Sequence, residues 1–310
     1  MTRGWPDLAS IELDPTIEAL HLWSQVVGKV RLMMTPWENH GWHVPLYVSA
    51  RGLTTGLIPT VGRSFAIEFD FVASRLDLRA TDGAHASVAL RAQSVCDFYE
   101  ATMAALAAIG IAVRIDRMPC EIPDAVPFQE DIRLRAYVPA VAATYWRALV
   151  EVRRVFQLFR TSFVGKCSPI HLFWGAFDLA ITRFSGRTAP PHPGGAPNMP
   201  DAVAREAYCW EVSSAGFWPG FGTGPSFYSY AYPVPAGFGQ APVKPSGAAF
   251  DPALGEFLLP YSTVIASADP DQALLQFLES TYEAAANLGE WDRAHLERAP
   301  GSIGRPPQGS

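Results

Sequence analysis

The sequence predicts an α+β protein, mainly antiparallel β-sheet with helices packed on it. Two observations carry that reading. Strand-like segments follow one another across short turns: "FAIEFDF" alternates Phe65, Ile67, Phe69 and Phe71 on one side with Glu68 and Asp70 on the other, and Asp82-Gly83 is a hairpin signal between "RLDLRA" and "HASVALR". Helical stripes bracket these runs of strands, an order that suits helices segregated to one side of an antiparallel sheet.

The elements follow in order. Asp14 caps a first helix, Pro15 suits its first turn, and Ile17, Leu20, Trp23, Val27, Val30 and Met34 form its apolar stripe until Pro36 ends it. "HVPLYVSARGL" reads as a strand, and the meander just described follows. Ser94 and Asp97 resemble a capping box for a second helix that stops at Gly110, and "IAVRI" reads as a further strand. A third helix starts near Pro139, with Tyr145, Leu149, Val152, Phe156, Phe159 and Phe163 as its stripe. Next, "SPIHLFWGAFDLAITRFSGR" reads as one long strand. After a proline-rich loop come "AYCWEVSSAGFW", "SFYSYAYPV" and "GEFLLPY", with "WPGFGTGPS" as a hairpin loop. Asp269, Pro270 and Gln272 start a last helix, and Gly289 ends it.

At ~150 residues per domain, the 310-residue chain makes one large or two ordinary domains. The proline-rich "MPCEIPDAVPFQED" is the natural boundary, giving an N-terminal half over 1–130, a C-terminal half over 131–296 and a disordered tail over 297–310. Both halves read as a long helix, then strands, then a closing helix. "VVGK" at Val26–Lys29 and "FVGK" at Phe163–Lys166 repeat near the end of each leading helix. A duplication would place the site at the seam between halves, where ligands favour binding.

Charged residues are only 17% of the chain, against a usual ~25%, and the net charge is −6. That balance, with no tight Lys/Arg run, argues against a nucleic-acid partner. The longest apolar run, Ala104–Val113, is far short of the ~20 residues a membrane span needs, and the N-terminus lacks a leader's apolar segment, so the expected location is cytoplasmic. Cys96, Cys120, Cys167 and Cys209 have neither zinc-ribbon nor disulfide-framework spacing. Neither GxGxxG, GxxxxGK[ST] nor GxSxG opens a nucleotide or nucleophile site, and no cofactor is named by the sequence. Oligomeric state is not encoded in any pattern seen.

The chemistry-bearing residues fall on the two strands nearest the repeats. Read as one strand, the first puts His43, Tyr47, Ser49 and Arg51 on one face. Read the same way, the second puts His171 and Arg183 on one face and Asp178 on the other. An ionised Asp178 inside such an apolar wall needs a cation, from Lys29, Arg51, Lys166 or Arg183, or several backbone N–H groups. Tyr228, Tyr230 and Tyr232 share one face of a later strand. One expectation is therefore a small-molecule site between the halves. His43, His171 and Glu211 are its candidate catalytic groups, Arg51, Arg183, Asp178 and Lys166 its ligand contacts, and Trp42, Trp174 and Tyr230 its walls. The arginines suggest an anionic ligand, because the guanidinium fork matches carboxylate and phosphate. A second expectation is a metal-dependent enzyme using His40, His43, His171 and Glu211. A third is an interaction protein without catalytic chemistry.

Long stretches of the chain are specific in another way. "HLWSQVVGKVRL", "NHGWHVPLYVSARGLTTG", "GKCSPIHLFWGAFDLAITRFSGRTAP", "EVSSAGFWPG", "YAYPVPAGF", "GEFLLPY" and "FLESTYEAAANL" closely resemble the bacterial family DUF5996, a domain of unknown function. The resemblance spans nearly the whole chain and implies no activity. Where the family pattern carries a His and then an Asp after "PFQED", this chain has Leu134 and Val138.

Overall fold

Two antiparallel sheets of six strands each organise the protein. The computed structural model describes residues 4–301 and 303–305. The first half runs α1 (Asp14–Met34), β1 (Tyr47–Val48), β2 (Gly52–Thr54), β3 (Ile58–Thr60), β4 (Arg63–Asp70), β5 (Arg75–Ala80), β6 (His85–Ala89) and α2 (Val95–Ala108). The second runs α3 (Pro139–Thr161), β7 (His171–Phe173), β8 (Asp178–Thr188), α4 (Asp201–Ala207), β9 (Trp210–Trp218), β10 (Ser226–Tyr232), β11 (Ala249–Asp251), β12 (Glu256–Pro260), α5 (Tyr261–Ile265), α6 (Pro270–Leu288) and α7 (Arg293–Leu296). The sheet orders are β1-β2-β4-β5-β6, with β3 beside β4, and β11-β12-β10-β9-β8-β7. The α+β class expected from the sequence is the one observed.

The sheets meet edge to edge. Leu46, just before β1, and Leu172 of β7 exchange backbone hydrogen bonds of 2.8 and 2.7 Å in an antiparallel bridge. Outward from this seam the first sheet steps antiparallel through β1, β2, β4, β5 and β6, and the second through β7, β8, β9 and β10 before β12 and then β11. The VGK repeat, in contrast, has no shared structural role: Lys29 lies within α1, whereas Lys166 follows α3 in a loop.

One face of each sheet is apolar and carries the long helices. In the first half Val48, Leu53, Phe69, Leu76 and Val88 stand in register. In the second, Leu172, Leu179, Phe217, Phe227 and Leu259 do the same. Trp23 of α1 stacks on Phe98 of α2 at 4.9 Å, and Phe98 stacks on Phe69 at 6.2 Å. Across the molecule Tyr145 of α3 stacks on Phe217 at 6.0 Å. Each such side chain, once buried, stabilises the fold by roughly 1.5–3 kcal/mol. Two indoles cross the seam and tie the halves. Trp146 Nε1 donates to Ser49 O at 3.1 Å, and Trp174 Nε1 donates to Val44 O at 2.9 Å. The Trp174 ring lies flat on Gly28, where any side chain would collide with the indole.

Caps follow the sequence closely. Ser94 and Asp97 form a full capping box on α2, and Asp269 accepts from Gln272 N at 3.1 Å to start α6. Asp14, expected to cap α1, is already inside the helix, which Leu13 precedes without a side-chain cap. "IAVRI" forms no strand. Residues 297–301 are not loose: Glu297 bridges Phe163, and Arg298 N and Gly301 N donate to Ser162 O and Thr161 Oγ1. The rest of the expected disordered tail, residue 302 and residues 306–310, lies outside the described residues.

Two single strands expected from the sequence are hairpins. "HVPLYVSARGL" turns at Ser49–Arg51 between β1 and β2. "IHLFWGAFDLAITRF" turns over 174–177 between β7 and β8, with Phe177 at φ 59°. Each turn resets which face a residue occupies.

Candidate functional site

The β7–β8 hairpin determines the site. Because His171 pairs with Ala180, it shares a face with Asp178 and Thr182, the face away from the long helices. The row His171, Ala180, Gly216, Tyr228, Leu258 runs across that outer face. The short α4, the 39–41 helical turn and the proline-rich loops cover parts of it.

Asp178 is the centre of one cluster. It is 8% exposed, and the Tyr228 hydroxyl donates to it. Tyr228 can lie across β9 only because residue 216 is glycine; a side chain there would strike its ring and hydroxyl. Tyr230 stacks on Tyr228 at 6.0 Å, and its hydroxyl is 2.8 Å from that of Tyr208, on which His192 stacks at 4.5 Å. Glu121 enters from the long crossing loop with φ 62°, unusual for a non-glycine residue, and its carboxyl rests against Gly175. Glu256 opens β12.

Asp178 acts electrostatically on the other two acids, and none of the three meets a countercharge among the described residues. Desolvation raises Asp178 to about 6, against the weaker opposing effect of the Tyr228 hydrogen bond. Desolvation and the Asp178 charge raise Glu121 to about 7 and Glu256 to about 7. No Lys or Arg forms an ion pair with any of the three among the described residues. Tyr208, Tyr228, Tyr230 and Glu256 are crowded by protein and yet keep partial contact with solvent. That combination describes a half-buried, aromatic-lined patch with acids in it.

A second cluster lies further along the same face. Lys166 Nζ is 2.6 Å from His40 Nε2, and His40 Nδ1 donates to Ala207 O at 2.9 Å. Trp42, Phe184 and Trp210 surround the amine at 5.3, 4.8 and 5.8 Å. Towards the seam, His171 lies 6.4 Å from Trp42 and 6.4 Å from Tyr47, over which Arg31 stacks at 5.1 Å. Burial, then the Arg31 charge, drive His171 down to about 3. His43 stacks on Trp37 at 4.6 Å and its Nδ1 accepts from Glu38 N. Burial foremost lowers its pKa. His43 Nε2, His171 Nδ1 and Arg31 Nε are buried without a partner among the described residues.

Of the residues singled out from the sequence, Trp42, His43, Lys166, His171, Asp178 and Tyr230 thus fall on or beside one face. Arg51, Arg183 and Glu211 do not. Arg51 sits on the β1–β2 turn, exposed, and pairs with Asp70 at 2.6 Å. Arg183 points to the helix side. It is 1% exposed, donates to Phe159 O, and its guanidinium stacks at 3.4 Å on Phe159 and 4.3 Å on Tyr282. Glu211 accepts from Arg187 at 2.6 Å and from Ser185 at 2.8 Å. Trp174 is a seam tie, not a wall. Asp178 meets a tyrosine instead of the expected cation. Lys29, another of its expected partners, pairs with Asp116 at 3.0 Å. The metal set His40, His43, His171 and Glu211 is not assembled, and no three ligating side chains among the described residues are placed to hold a metal ion. Glu121, Glu256, Tyr208 and Arg31 escaped the sequence reading. Glu121 lies in a loop without periodicity, and Glu256 reads as an ordinary strand-end charge.

The fold and this face define a twin-sheet α+β protein whose second sheet gathers acids and aromatics on its outer face. The chain belongs to a family of unknown function, DUF5996, whose profile matches residues 5–298. No curated protein and no solved structure matches it. No helix among the described residues is long and apolar enough to cross a membrane.

Proposed function

We propose that the protein binds a small organic amine on the outer face of its second sheet, with Asp178 and Glu121 as proton-exchanging groups. One observation carries this reading: Asp178, Glu121 and Glu256 are desolvated, Asp178 repels the charge on the other two, and no Lys or Arg pairs with any of them among the described residues. A buried carboxylate without a countercharge is costly, and an ammonium supplied by a ligand offsets that cost. The faces of Tyr228, Tyr230 and Tyr208 favour a cation as well. Carboxyls raised to about 6 and 7 hold and release protons near neutral pH, the range useful for acid–base chemistry. The anionic ligand suggested by Arg51 and Arg183 loses support, because both guanidiniums are engaged elsewhere. A small anion at the seam remains the second reading, favoured by the unpartnered nitrogens of Arg31, His43 and His171. We take the protein to act in the bacterial cytoplasm, a reading supported by its four unpaired cysteines.

Calorimetric titration with 1,4-diaminobutane and benzylamine, against phosphate and citrate, tests both readings at pH 7.5. Amine binding that Asp178→Asn weakens by about tenfold or more supports the first, because a ligand cation loses its buried partner. Binding of phosphate alone, lost in Arg31→Gln, would overturn it in favour of the second.

A further inference from the structure

The Lys166 box stands apart from the acid cluster. Phe184, which touches Lys166, is six residues along β8 from Asp178, roughly 20 Å at ~3.3 Å per residue. It is built from a different set of groups, and the amine reading does not bear on it. We infer that Lys166 is a nucleophilic amine that condenses with a small aldehyde or ketone, its proton handled by His40.

Four features support this. The His40 tautomer is fixed: Nδ1 donates to Ala207 O at 2.9 Å, so the Nε2 lone pair faces Lys166 Nζ at 2.6 Å. His40 takes φ 61°, a left-handed conformation uncommon among non-glycine residues. Lys166 pairs with no carboxylate among the described residues, whereas Lys29 pairs with Asp116. Its amine lies among Trp42, Phe184 and Trp210, while the residue as a whole stays exposed, so a reagent can reach it. Burial lowers the Lys166 pKa, and burial foremost also lowers that of His40, which keeps the imidazole a neutral acceptor.

The chemistry balances without an oxidant. The Nζ lone pair adds to the carbonyl carbon and breaks the C=O π bond. His40 Nε2 takes a proton from the nitrogen, and the alkoxide oxygen takes one from solvent to give a carbinolamine, this solvent proton being the one that leaves the final iminium positively charged. His40 then returns the proton to the hydroxyl, which leaves as water as the C=N bond forms. The product iminium is a cation with fewer N–H groups to hydrate than an ammonium. Desolvation therefore penalises it less, while the three ring faces attract both. The preferred carbonyl compound is small and carries a flat apolar substituent, to match the indole walls.

The 310-residue chain contains three lysines, Lys29, Lys166 and Lys244, which makes the test self-controlled. It is incubated with benzaldehyde and cyanoborohydride between pH 6 and 9, and benzylation at each lysine is followed by peptide mass spectrometry. Lys166 is expected to react on the order of tenfold faster than exposed Lys244 at pH 7, and to reach its plateau at lower pH. Lys29 is expected to stay unmodified. His40→Gln should bring the Lys166 rate down towards that of Lys244, with an unchanged circular dichroism spectrum as its folding control. Lys166 reacting no faster than Lys244, or no reaction at any lysine, overturns the inference, and neither readout depends on a variant.

Discussion

The outer faces of the two sheets solve the same electrostatic problem in opposite ways. In the first half, Tyr47, Thr54, Glu68, Asp77 and Ser87 stand in register on the side away from the helices. Its acids are buried but matched. Asp77, 1% exposed, meets Arg79 at 2.5 Å, Arg75 at 2.9 Å and His85 at 3.2 Å, and Asp70 meets Arg51 at 2.6 Å. The second sheet carries Asp178 and Glu256 on its outer face, with Glu121 of the crossing loop brought against it, beside tyrosines and without a Lys or Arg ion pair among the described residues. The first arrangement is complete without a ligand. The second lacks a countercharge, and that is the physical reason for locating function there. Stability also separates them. Matched acids hold the fold together when ionised, and unmatched ones strain it.

The largest expected effects test that contrast directly. Asp77→Asn leaves Arg75 and Arg79 crowded without their shared anion and should destabilise the protein by roughly 2–4 kcal/mol, read from urea unfolding at pH 7.5. Asp178→Asn should do the reverse. Its pKa rises on folding from 3.8 to about 6, so the folded state binds the proton more tightly than the unfolded chain. The resulting penalty is absent below pH 4, grows as pH rises through the interval, and is complete above about 6. Removing the charge should therefore stabilise by up to roughly 3 kcal/mol at pH 7.5 and change little at pH 4. Equal destabilisation by both substitutions would erase the distinction between the faces.

How much of this was legible in the sequence depends on what each segment has to bury. "FAIEFDF" was readable because Phe65, Ile67 and Phe69 face a core while Glu68 meets solvent. The caps of α2 and α6 were readable because orphan N–H groups demand a nearby acceptor. The hairpin inside "IHLFWGAFDLAITRF" was not. Its turn has no Pro, Asn or Asp-Gly, only Gly175 and a Phe177 held at φ 59° by burial. Missing that turn sent Arg183 to the wrong face and separated His171 from Asp178, which in fact share one. Lys166, Trp42 and His43 stand out in the sequence because aromatic and basic groups cluster in the chain itself there. Glu121 comes into place only through the tertiary path of a loop with no period.

The pH dependence of the whole protein sharpens the comparison at an intermediate scale. Arg51 and the backbone N–H groups of Val72 and Ala73 hold Asp70 below the ordinary carboxylate range, outweighing its desolvation. Its contribution is present above the unfolded pKa and lost as pH falls through the folded one. Asp178, Glu121 and Glu256 act with the opposite sign between about pH 4 and 7. Desolvated His21 and His171, held down to about 4 and about 3, oppose these acids as pH falls below 6.5. The acid cluster is therefore read in the Tm difference between Asp178→Asn and wild type, which should grow by several degrees from pH 4 to pH 7, in proportion to the stability regained.

The smallest effect expected isolates a single hydroxyl. Tyr228→Phe removes the one side-chain donor to Asp178 among the described residues and keeps the ring that stacks on Tyr230. A hydrogen bond to a carboxylate favours its charged form, so without it the Asp178 pKa should climb further above about 6. The cost should be about 1–2 kcal/mol at pH 7.5, where the carboxylate is ionised, and smaller at pH 4.5, where a protonated Asp178 has less to lose. Chemical denaturation at the two pH values separates the cases. If the variant loses the same stability at both, Tyr228 acts through packing alone, and the Asp178 charge is held by something other than its hydroxyl.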